Sequence, residues 1–529
     1  MAPSDPVSLA HGHGGDTDVA VVGGGHNGLV AAAYLARAGL RVVVLEARAR
    51  FGGAVGSGRP FPGVDASLSR FSYLVSVLPQ QLVDDLGLDL ELRSRNVASY
   101  TPVGRGGLLV ERSGGAATRS SFRAVTGSDQ EYEAWQGFHV QLNAVAQAVA
   151  PTLTEPLPRA GDIRARLGAQ LWAALAEQPL GAWIEQTFAD DHVRGMLLTD
   201  ALIGTFATAA EASLRQNRCF LYHVIGNGTG EWKVPVGGMG AVAQALEQAA
   251  RRAGARLYAD TRVTSVEPMS TGGAVVATED GSRWRARFVL ANCAPAVLAD
   301  LLGQPATEQP EGSQTKVNLV LRRLPRLASG VAPEVAFAGT LHLGQGYRRL
   351  QEAHEEASAG KLPDPMPAEV YCHTLTDPTI LSPELRAAGY QTLTMFGLHT
   401  PARLFAADPA GTRAAARQSA LRALQAVLAE PLEDCLAVDA NGQPCVEVMT
   451  PLDLEHELTM PGGHIFHGDL QWPWLADDAP ADTPAQRWGV ATELPEVLLC
   501  GSGSVRGGAV SGLGGHSAAH AVLECERTA

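Results

Sequence analysis

Residues 18–46 read Asp18-Val-Ala-Val-Val-Gly-Gly-Gly-His-Asn-Gly-Leu-Val-Ala-Ala-Ala-Tyr-Leu-Ala-Arg-Ala-Gly-Leu-Arg-Val-Val-Val-Leu-Glu46, and this stretch decides the fold. An apolar run over 19–22 leads into a Gly-rich turn, and small residues predict a helix over 27–38. A second apolar run over 42–45 ends at a carboxylate. Strand, helix and strand at this spacing form a complete βαβ unit. The sequence therefore predicts an α/β protein with a doubly wound, Rossmann-like sheet.

Three glycines in this turn have separate roles in binding a dinucleotide. Gly23 permits the tight turn, Gly25 lets a pyrophosphate approach the backbone, and Gly28 lets the helix pack closely on the strand. The helix N-terminus offers free N–H groups and a positive dipole end to the phosphates. Glu46 lies at the distance expected for a carboxylate that binds the adenosine ribose, and its charge disfavours NADP. The alternative is a structural Gly-rich turn.

Two further glycine clusters favour FAD over NAD. Arg48, Gly52 and Gly53 follow the second strand, where an extended cofactor needs the backbone to stay clear. From Val497 the chain repeats the order of strand, Gly-rich loop and helix, with the helix expected over 516–524. The candidate cofactor residues in this loop are Gly501, Gly503, Gly508 and Val510. NAD needs one mononucleotide-binding loop and the neighbouring one. FAD that extends between loops from the two ends of the chain accounts for both glycine clusters.

Composition narrows the class of protein. The 529 residues provide enough chain for about three domain-sized cores. The formal net charge of −14 disfavours a nucleic-acid partner. The seven cysteines are scattered without a CxxC pair, which excludes a dithiol–disulfide mechanism built on that motif and fits a reducing, cytoplasmic compartment. No spacing of ligand residues predicts a metal site.

The first residues predict a flexible tail over 1–16. They contain no apolar segment typical of a secretory signal, and the solvated terminus is favoured over metal binding by His11 and His13. No apolar stretch reaches the roughly 18 residues of a membrane span. We therefore expect a cytoplasmic protein, with peripheral contact at a membrane surface as the alternative.

Several segments along the chain carry a family resemblance. They are Gly24-Gly-His-Asn-Gly-Leu-Val-Ala-Ala-Ala-Tyr-Leu35, Ser69-Arg-Phe-Ser-Tyr-Leu74, Trp232 with Gly237-Gly-Met-Gly240, Thr315-Lys-Val-Asn318, Gly462-Gly-His-Ile-Phe-His-Gly468 and Leu499-Cys-Gly-Ser-Gly503. With these the chain resembles flavoproteins of the phytoene desaturase and carotenoid isomerase superfamily. Within it, the chain is most similar to the branch called pyridine nucleotide-disulfide oxidoreductase domain-containing protein 2. The redox disulfide in that name has no counterpart here.

The resemblance implies two domains built from alternating segments. The FAD-binding domain comprises residues 17–75, 230–300 and 486–529, and the inserted α+β substrate domain comprises 76–229 and 301–485. The residues independently predict a helix over 241–253, strands at 255–259 and around 262–266, and a strand returning to the sheet at 288–292. The resemblance also implies that the backbone at Val263 binds the edge of the adenine ring of FAD.

Three residues are candidates for a catalytic role near the flavin ring. The resemblance places Trp232 near the flavin ring, with a domain-interface tryptophan as an equal alternative. His467 could act as an acid or base, or as a loop histidine bonded to backbone. Arg506 stands where related proteins usually carry proline, so the resemblance implies a position near the flavin pyrimidine edge. The alternative is an arginine that points to solvent or to a substrate carboxylate.

Apolar residues at helical spacing mark a segment of the substrate domain. They are Ile163, Leu167, Leu171, Trp172 and Leu175. A helix packing on the core is favoured over one that dips into a membrane surface.

The resulting hypothesis is an FAD-dependent oxidoreductase that adds or removes hydrogen at a carbon–carbon bond. The resemblance implies an apolar, polyene or lipid-like substrate, and oxygen or a quinone would accept the electrons. Two alternatives stay open: a redox-neutral, flavin-dependent double-bond isomerase, and a flavoprotein that mainly binds or regulates a partner. The sequence indicates no oligomeric state.

Overall fold

The computed structural model describes residues 14–305 and 309–528, so His11, His13 and most of the predicted tail lie outside the described residues. The strands are β1 Gly15–Val22, β2 Val42–Leu45, β3 Ser57–Gly58, β4 Leu68–Ser69, β5 Leu92–Arg93, β6 Val97–Val103, β7 Gly106–Glu111, β8 Val234–Pro235, β9 Arg256–Tyr258, β10 Val263–Pro268, β11 Ala274–Thr278, β12 Arg283–Ala291, β13 Thr315–Leu321, β14 Thr340–Leu343, β15 Ala368–Tyr371, β16 Gln391–Gly397, β17 Val446–Met449 and β18 Val497–Leu499.

The helices lie between these strands and cover their faces. They are α1 His26–Arg37, α2 Gln80–Leu86, α3 Ala116–Thr126, α4 Gln130–Val149, α5 Ala160–Leu167, α6 Ala169–Trp172, α7 Leu180–Thr187, α8 Asp191–Leu198, α9 Arg215–Ile225, α10 Met239–Arg252, α11 Pro295–Leu301, α12 Pro333–Ala336, α13 Tyr347–Ser358, α14 Pro383–Ala387, α15 Arg403–Ala406, α16 Pro409–Gln425, α17 Pro451–Leu458, α18 Pro484–Arg487 and α19 Leu513–Thr528.

The first sheet confirms the doubly wound α/β fold. Its strand order is β10-β11-β12-β1-β2-β9, and β18 pairs with the carboxyl half of β12. Strands β9, β2, β1, β12 and β18 run parallel. In chain order this is the 3-2-1-4-5 arrangement of dinucleotide-binding sheets, whose ligand crevice lies where the order reverses. Here the reversal falls between β1 and β12. Gly15 and Asp16, which were predicted to belong to the flexible tail, instead pair with β12.

Close helix packing brings the two Gly-rich loops together at this crevice. Helix α1 lies between α10 and α19, with Ala31, Ala32 and Ala33 fully buried. A Cβ on Gly515 would lie 1.9 Å from the Asn27 carbonyl oxygen, so only glycine permits this approach of α19 to α1. The Asn27 side-chain amide donates to the Gly507 carbonyl at 3.1 Å. The N-terminal and C-terminal loops are therefore in direct contact.

The second sheet has the order β17-β13-β16-β15-β14-β6-β7. Strands β6 and β7 precede β13–β17 by some 200 residues of chain, yet β14 pairs with β6, so the segments predicted for the inserted domain share one sheet. Its alternate residues divide between two faces. One face is apolar and packs against α16, and the other carries Lys316, Glu369, Tyr371 and Phe396. The exact domain bounds stay a prediction.

The helical layer beside this sheet contains the apolar segment identified in the sequence. Ile163, Trp172 and Leu175 are buried in one cluster with residues of α4 and α9, which supports the core-packing interpretation. Among residues 14–305 and 309–528, the structure contains no helix with the length and hydropathy to cross a bilayer.

A buried carboxylate joins the two halves of the molecule. Asp377, which follows β15, accepts hydrogen bonds from the Gly237 N–H at 2.8 Å and from the Thr379 N–H at 3.0 Å. Burial raises the pKa of Asp377, but hydrogen bonds from His373, Thr379 and Gly237 outweigh it and hold this pKa below its usual range. Since Gly237 precedes α10, the carboxylate stabilises the contact between the substrate side and the cofactor side.

We expect Asp377→Asn to reduce the free energy of unfolding at pH 7 by about 1.5 to 3 kcal/mol, the value of hydrogen bonds to a charged group. A carboxyl whose folded pKa is depressed stabilises the protein above its unfolded pKa, about 3.9, and loses that contribution as the pH falls through the folded value. Urea unfolding at pH 7 and pH 3 should show the difference from wild type narrowing in acid. The exposed Asp65 is the control, and an acid-independent difference would contradict the assignment.

Candidate cofactor and substrate site

One cavity of 260 Å³ connects the two sheets. On one side it is lined by residues that follow the carboxyl ends of β1 and β12, including Gly23 and Asn292. On the other side it reaches Phe396 of β16. The cavity therefore begins at the crevice expected for a dinucleotide and ends at the second sheet.

The phosphate end of this cavity is formed by bare backbone. Gly23 has a φ of 97°, and Gly25 is the N-cap of α1 without any side-chain cap. Gly53 also lines the cavity, and a Cβ on it would lie 3.2 Å from the Gly25 Cα. An uncapped helix N-terminus beside two bare glycines provides N–H donors and space for a pyrophosphate.

Glu46 lines the next part of the cavity together with Arg48 and Val263, as the sequence predicts for the adenosine end. Its carboxylate accepts from the Gly24 N–H at 2.7 Å and the Arg48 N–H at 2.9 Å. Burial raises the pKa of Glu46, although these two hydrogen bonds lower it in part. The carboxylate is thereby held in one orientation, with acceptor capacity left for a ribose hydroxyl.

The C-terminal loop contributes fewer of the predicted residues to the cavity lining than expected. Ser502, Ala509 and Val510 line the cavity, whereas the predicted glycines 501, 503 and 508 do not. A Cβ at those three positions would meet Asn292, Pro295 and Leu470, respectively, at 3.0 Å or less. Their physical role is close packing of the loop. Gly28 and Gly52 are also outside the lining, where added Cβ atoms would meet Gly23 and Ala243.

The prediction that Arg506 lies at the flavin edge does not agree with the structure. Its side chain is 1% exposed and is absent from the cavity lining. The guanidinium donates to the carbonyl oxygens of Leu153 and Glu155, and burial lowers its pKa to about 10. The loop between Ser502 and Ala509 turns away from the cavity, and Arg506 ties it to the helical layer.

We therefore expect Arg506→Met to leave the midpoint potential of the bound flavin unchanged within experimental error. The sequence hypothesis had implied a decrease of tens of millivolts, because a nearby cation would stabilise the charge that gathers on reduction. Spectroelectrochemistry without substrate distinguishes the two. A decrease of that size would return Arg506 to the flavin site.

The substrate end has an aromatic wall, defined by Tyr73, His223, Trp232 and Phe396. The rings of Tyr73 and Trp232 stack at 6.1 Å, and those of Trp232 and His223 at 4.8 Å. Tyr73 also contacts Phe396 at 4.4 Å between ring centroids. Trp232 thus lies in the cavity wall, and its catalytic role stays a prediction.

His467 also lines the cavity. Burial lowers its pKa to about 4, so the imidazole is neutral at pH 7. Its Nδ1 is buried and has no partner among the described residues, and the residue has a φ of 63°. A neutral ring with one unbonded nitrogen can donate or accept a hydrogen bond within the cavity.

The other walls at this end are apolar. Leu454, Leu458 and Met460 from α17 and its following turn line the cavity with Ile465. Among the described residues of the lining, Glu46 is the single carboxylate, and it lies at the ribose end. No acidic side chain of the lining therefore faces this part of the cavity.

Sequence reasoning missed Asn292, Tyr73 and Phe396. Asn292 donates to the Gly23 carbonyl at 2.9 Å and so supports the phosphate turn. A polar residue directly after a parallel strand could have identified it. Tyr73 lies in a segment that carries the family resemblance, but Phe396 is distant in sequence from every motif and left no signal.

These residues fit FAD. The bare Gly25 and Gly53 leave room for the pyrophosphate, Glu46 is placed for the ribose, and the buried Nδ1 of His467 and Nε2 of His223 lack partners among the described residues. When bound, the flavin would supply a hydride acceptor at the junction with the substrate end. The protein's own part is to hold the cofactor, exclude water and orient the substrate.

Comparisons with known proteins identify the family of the chain. A family model described as flavin containing amine oxidoreductase matches residues 28–432. An uncharacterized protein of Mycobacterium tuberculosis (strain ATCC 25618 / H37Rv) is 49% identical over 527 residues, which cover 97% of this chain and 98% of that protein. Pyridine nucleotide-disulfide oxidoreductase domain-containing protein 2 of Mus musculus is 30% identical over 568 residues, with 96% and 93% covered.

Two solved structures share the fold. Putrescine oxidase bound to putrescine aligns with a TM-score of 0.59 at 17% identity, with 98% of this chain and 100% of that chain covered. Cyclohexylamine oxidase from Brevibacterium oxydans IH-35A aligns with a TM-score of 0.57 at 15% identity, with 97% and 100% covered. The predicted flavoprotein resemblance, the fold and the FAD cofactor are confirmed. The chain belongs to the flavin-containing amine oxidoreductase family and is an FAD-dependent oxidoreductase.

Proposed function

We propose that this oxidoreductase acts on a carbon–carbon bond of an uncharged, apolar substrate of polyene or lipid-like character. The observation that supports it is the composition of the substrate end, where aromatic and aliphatic side chains surround the cavity and no lining carboxylate is available to neutralise a cation. Burying an unpaired ammonium there would cost several kcal/mol. An apolar chain, in contrast, gains free energy when it leaves water.

The residues of the substrate end have distinct parts in this proposal. The aromatic wall gives the substrate an apolar surface, and its rings Tyr73 and Trp232 are held in place by stacking on each other. Leu454, Leu458 and Met460 exclude water from the opposite side. Neutral His467 orients any oxygen that the substrate carries. When bound, FAD would exchange hydride with a substrate carbon, and oxygen or a quinone would accept the electrons.

Mass spectrometry of small molecules released from the purified native protein tests the substrate class. We expect an apolar ligand of this type, which should bleach the bound flavin in one anaerobic turnover. One desaturated product should form for each flavin that is reduced. In the opposite direction, one saturated product should form for each reduced flavin that is oxidised. A ligand that is converted without bleaching would instead support a redox-neutral isomerase. Binding without any conversion would support the partner-binding alternative.

A primary amine is the second candidate substrate. It is favoured by the family description, flavin containing amine oxidoreductase. An anaerobic screen that compares alkylamines with polyenes and fatty substrates separates the candidates. Rapid bleaching by an amine, with none by apolar compounds, would overturn the carbon–carbon proposal.

A further inference from the structure

A chain of hydroxyl groups leads from the aromatic wall into the protein interior. The Tyr73 hydroxyl donates to the Tyr371 hydroxyl at 3.0 Å, and the Tyr371 hydroxyl donates to Oε2 of Glu369. Tyr371 and Glu369 are two residues apart on β15 and therefore share one face of the second sheet. Glu369 is 1% exposed. The chain connects the cavity lining with a carboxyl group that has almost no contact with bulk solvent.

Several charged or titratable groups surround Glu369. Burial and the neighbouring Asp200 raise the pKa of Glu369, while Arg95 and the Tyr371 hydrogen bond lower it. Burial also raises the pKa of Asp200. His342 Nε2 lies 3.9 Å from Glu369 Oε1. Burial lowers the pKa of His342 to about 3. This carboxyl therefore takes up a proton more readily than an exposed one.

The space behind the wall contains unsatisfied polar groups. Oε1 of Glu369 and Nε of Arg95 are buried and have no hydrogen-bond partner among the described residues. Arg95, Tyr73 and Tyr371 line a separate cavity of 20 Å³. That volume is sufficient for an internal water molecule with several polar partners. Of these groups, Tyr73 alone also lines the cavity at the substrate end, and Arg95, Tyr371 and Glu369 are outside its lining.

We propose that Tyr73, Tyr371 and Glu369 form a proton relay that serves the substrate end of the cavity. This inference rests on the proposed function, in which a substrate carbon loses hydride to the flavin while its neighbour loses a proton. The electron pair of the second C–H bond then forms the double bond. The released proton binds to the Tyr73 oxygen, and each tyrosine passes its own hydroxyl proton inward.

The number of protons that each group gains and loses follows from the hydrogen-bond directions in the relay. Tyr73 and Tyr371 each gain one proton and lose one, so both end as neutral phenols. The Glu369 carboxylate gains one proton at Oε2 and becomes a carboxylic acid. Running in reverse, the relay delivers a proton to the substrate during saturation. A base that titrates near the working pH suits both directions.

Proton exchange of the Glu369 carboxyl in FAD-loaded protein tests the relay without any substrate. Rapid mixing with deuterium oxide at pH 6, followed by infrared detection of the carboxylic acid band, reports the exchange rate. Glu369→Gln should remove the band, and Asp200→Asn identifies the contribution of the neighbouring acid. We expect Tyr73→Phe and Tyr371→Phe each to slow exchange by roughly tenfold or more, as expected when a barrier rises by one hydrogen bond.

Tyr222→Phe is the matched control, because Tyr222 lines the same cavity but donates to the Val505 carbonyl at 2.7 Å. Its exchange rate should equal that of wild type. Unaltered flavin absorbance shows that each variant is folded. Wild-type exchange in both Tyr73→Phe and Tyr371→Phe, or a band that survives Glu369→Gln, would overturn the relay. Since no substrate is present, these outcomes are independent of the bleaching experiment that tests the proposed function.

Discussion

Replacing Gly25 with valine is expected to give a folded protein that binds no FAD. The backbone of Gly25 has φ −70° and ψ 173°, which valine adopts without strain. Inside the protein, a Cβ would lie 3.0 Å from the side-chain nitrogen of Asn292, which donates to the Gly23 carbonyl and would have to shift slightly. The side chain would instead occupy the cavity at the N-terminus of α1, where the pyrophosphate must approach the backbone.

The measurement is the flavin absorbance of purified protein, before and after incubation with excess FAD, beside circular dichroism for the fold. Gly137→Val is the matched control, since Gly137 lies in α4 with nothing within 4 Å of an added Cβ. It should retain full FAD content. Full occupancy in the Gly25 variant would mean that this loop does not hold the phosphates.

Glu46→Ala should weaken FAD binding by about ten- to a hundredfold, because a charge-assisted hydrogen bond contributes about 1.5 to 3 kcal/mol. The change also leaves the Gly24 and Arg48 N–H groups without their present acceptor. Titration of the apoprotein with FAD, followed by flavin fluorescence, gives the affinity. Glu279, whose side chain is 73% exposed, provides the control position. An affinity equal to wild type would exclude Glu46 as the ribose acceptor.

The cofactor half of the protein could be predicted because its signals are local. Strand β2 coincides with the predicted run over 42–45, and α1 begins one residue earlier than expected, at His26. Gly25, Glu46 and Val263, which were predicted to bind the cofactor, line one cavity. In a βαβ unit the turn, the helix dipole and the following acid are placed by short-range geometry, so one segment of sequence contains the main parts of the phosphate cradle.

The C-terminal loop shows where a motif is insufficient. Its glycines resemble a second cradle, but glycines 501, 503 and 508 are required by neighbouring Asn292, Pro295 and Leu470. Arg506 lies in the same loop and turns toward the carbonyls of the helical layer. Glycine spacing indicates close approach without identifying what approaches, so cofactor contact and packing are indistinguishable before the chain is folded.

The substrate side depends on contacts between residues far apart in the chain. Tyr73 and Tyr371 are separated by 298 residues, yet their hydroxyl groups form a hydrogen bond. Periodicity does not reveal this pairing, because β15 alone reads as an ordinary buried strand. The amino-acid pattern was sufficient for the βαβ unit that identifies the doubly wound sheet and begins the FAD cradle, because the parts of that unit are neighbours in sequence. The aromatic wall and the buried Glu369 arise only when the two sheets pack together, and Arg506 points inward only when the helical layer provides its carbonyl partners. In each case tertiary packing determines which polar groups lose their contact with water.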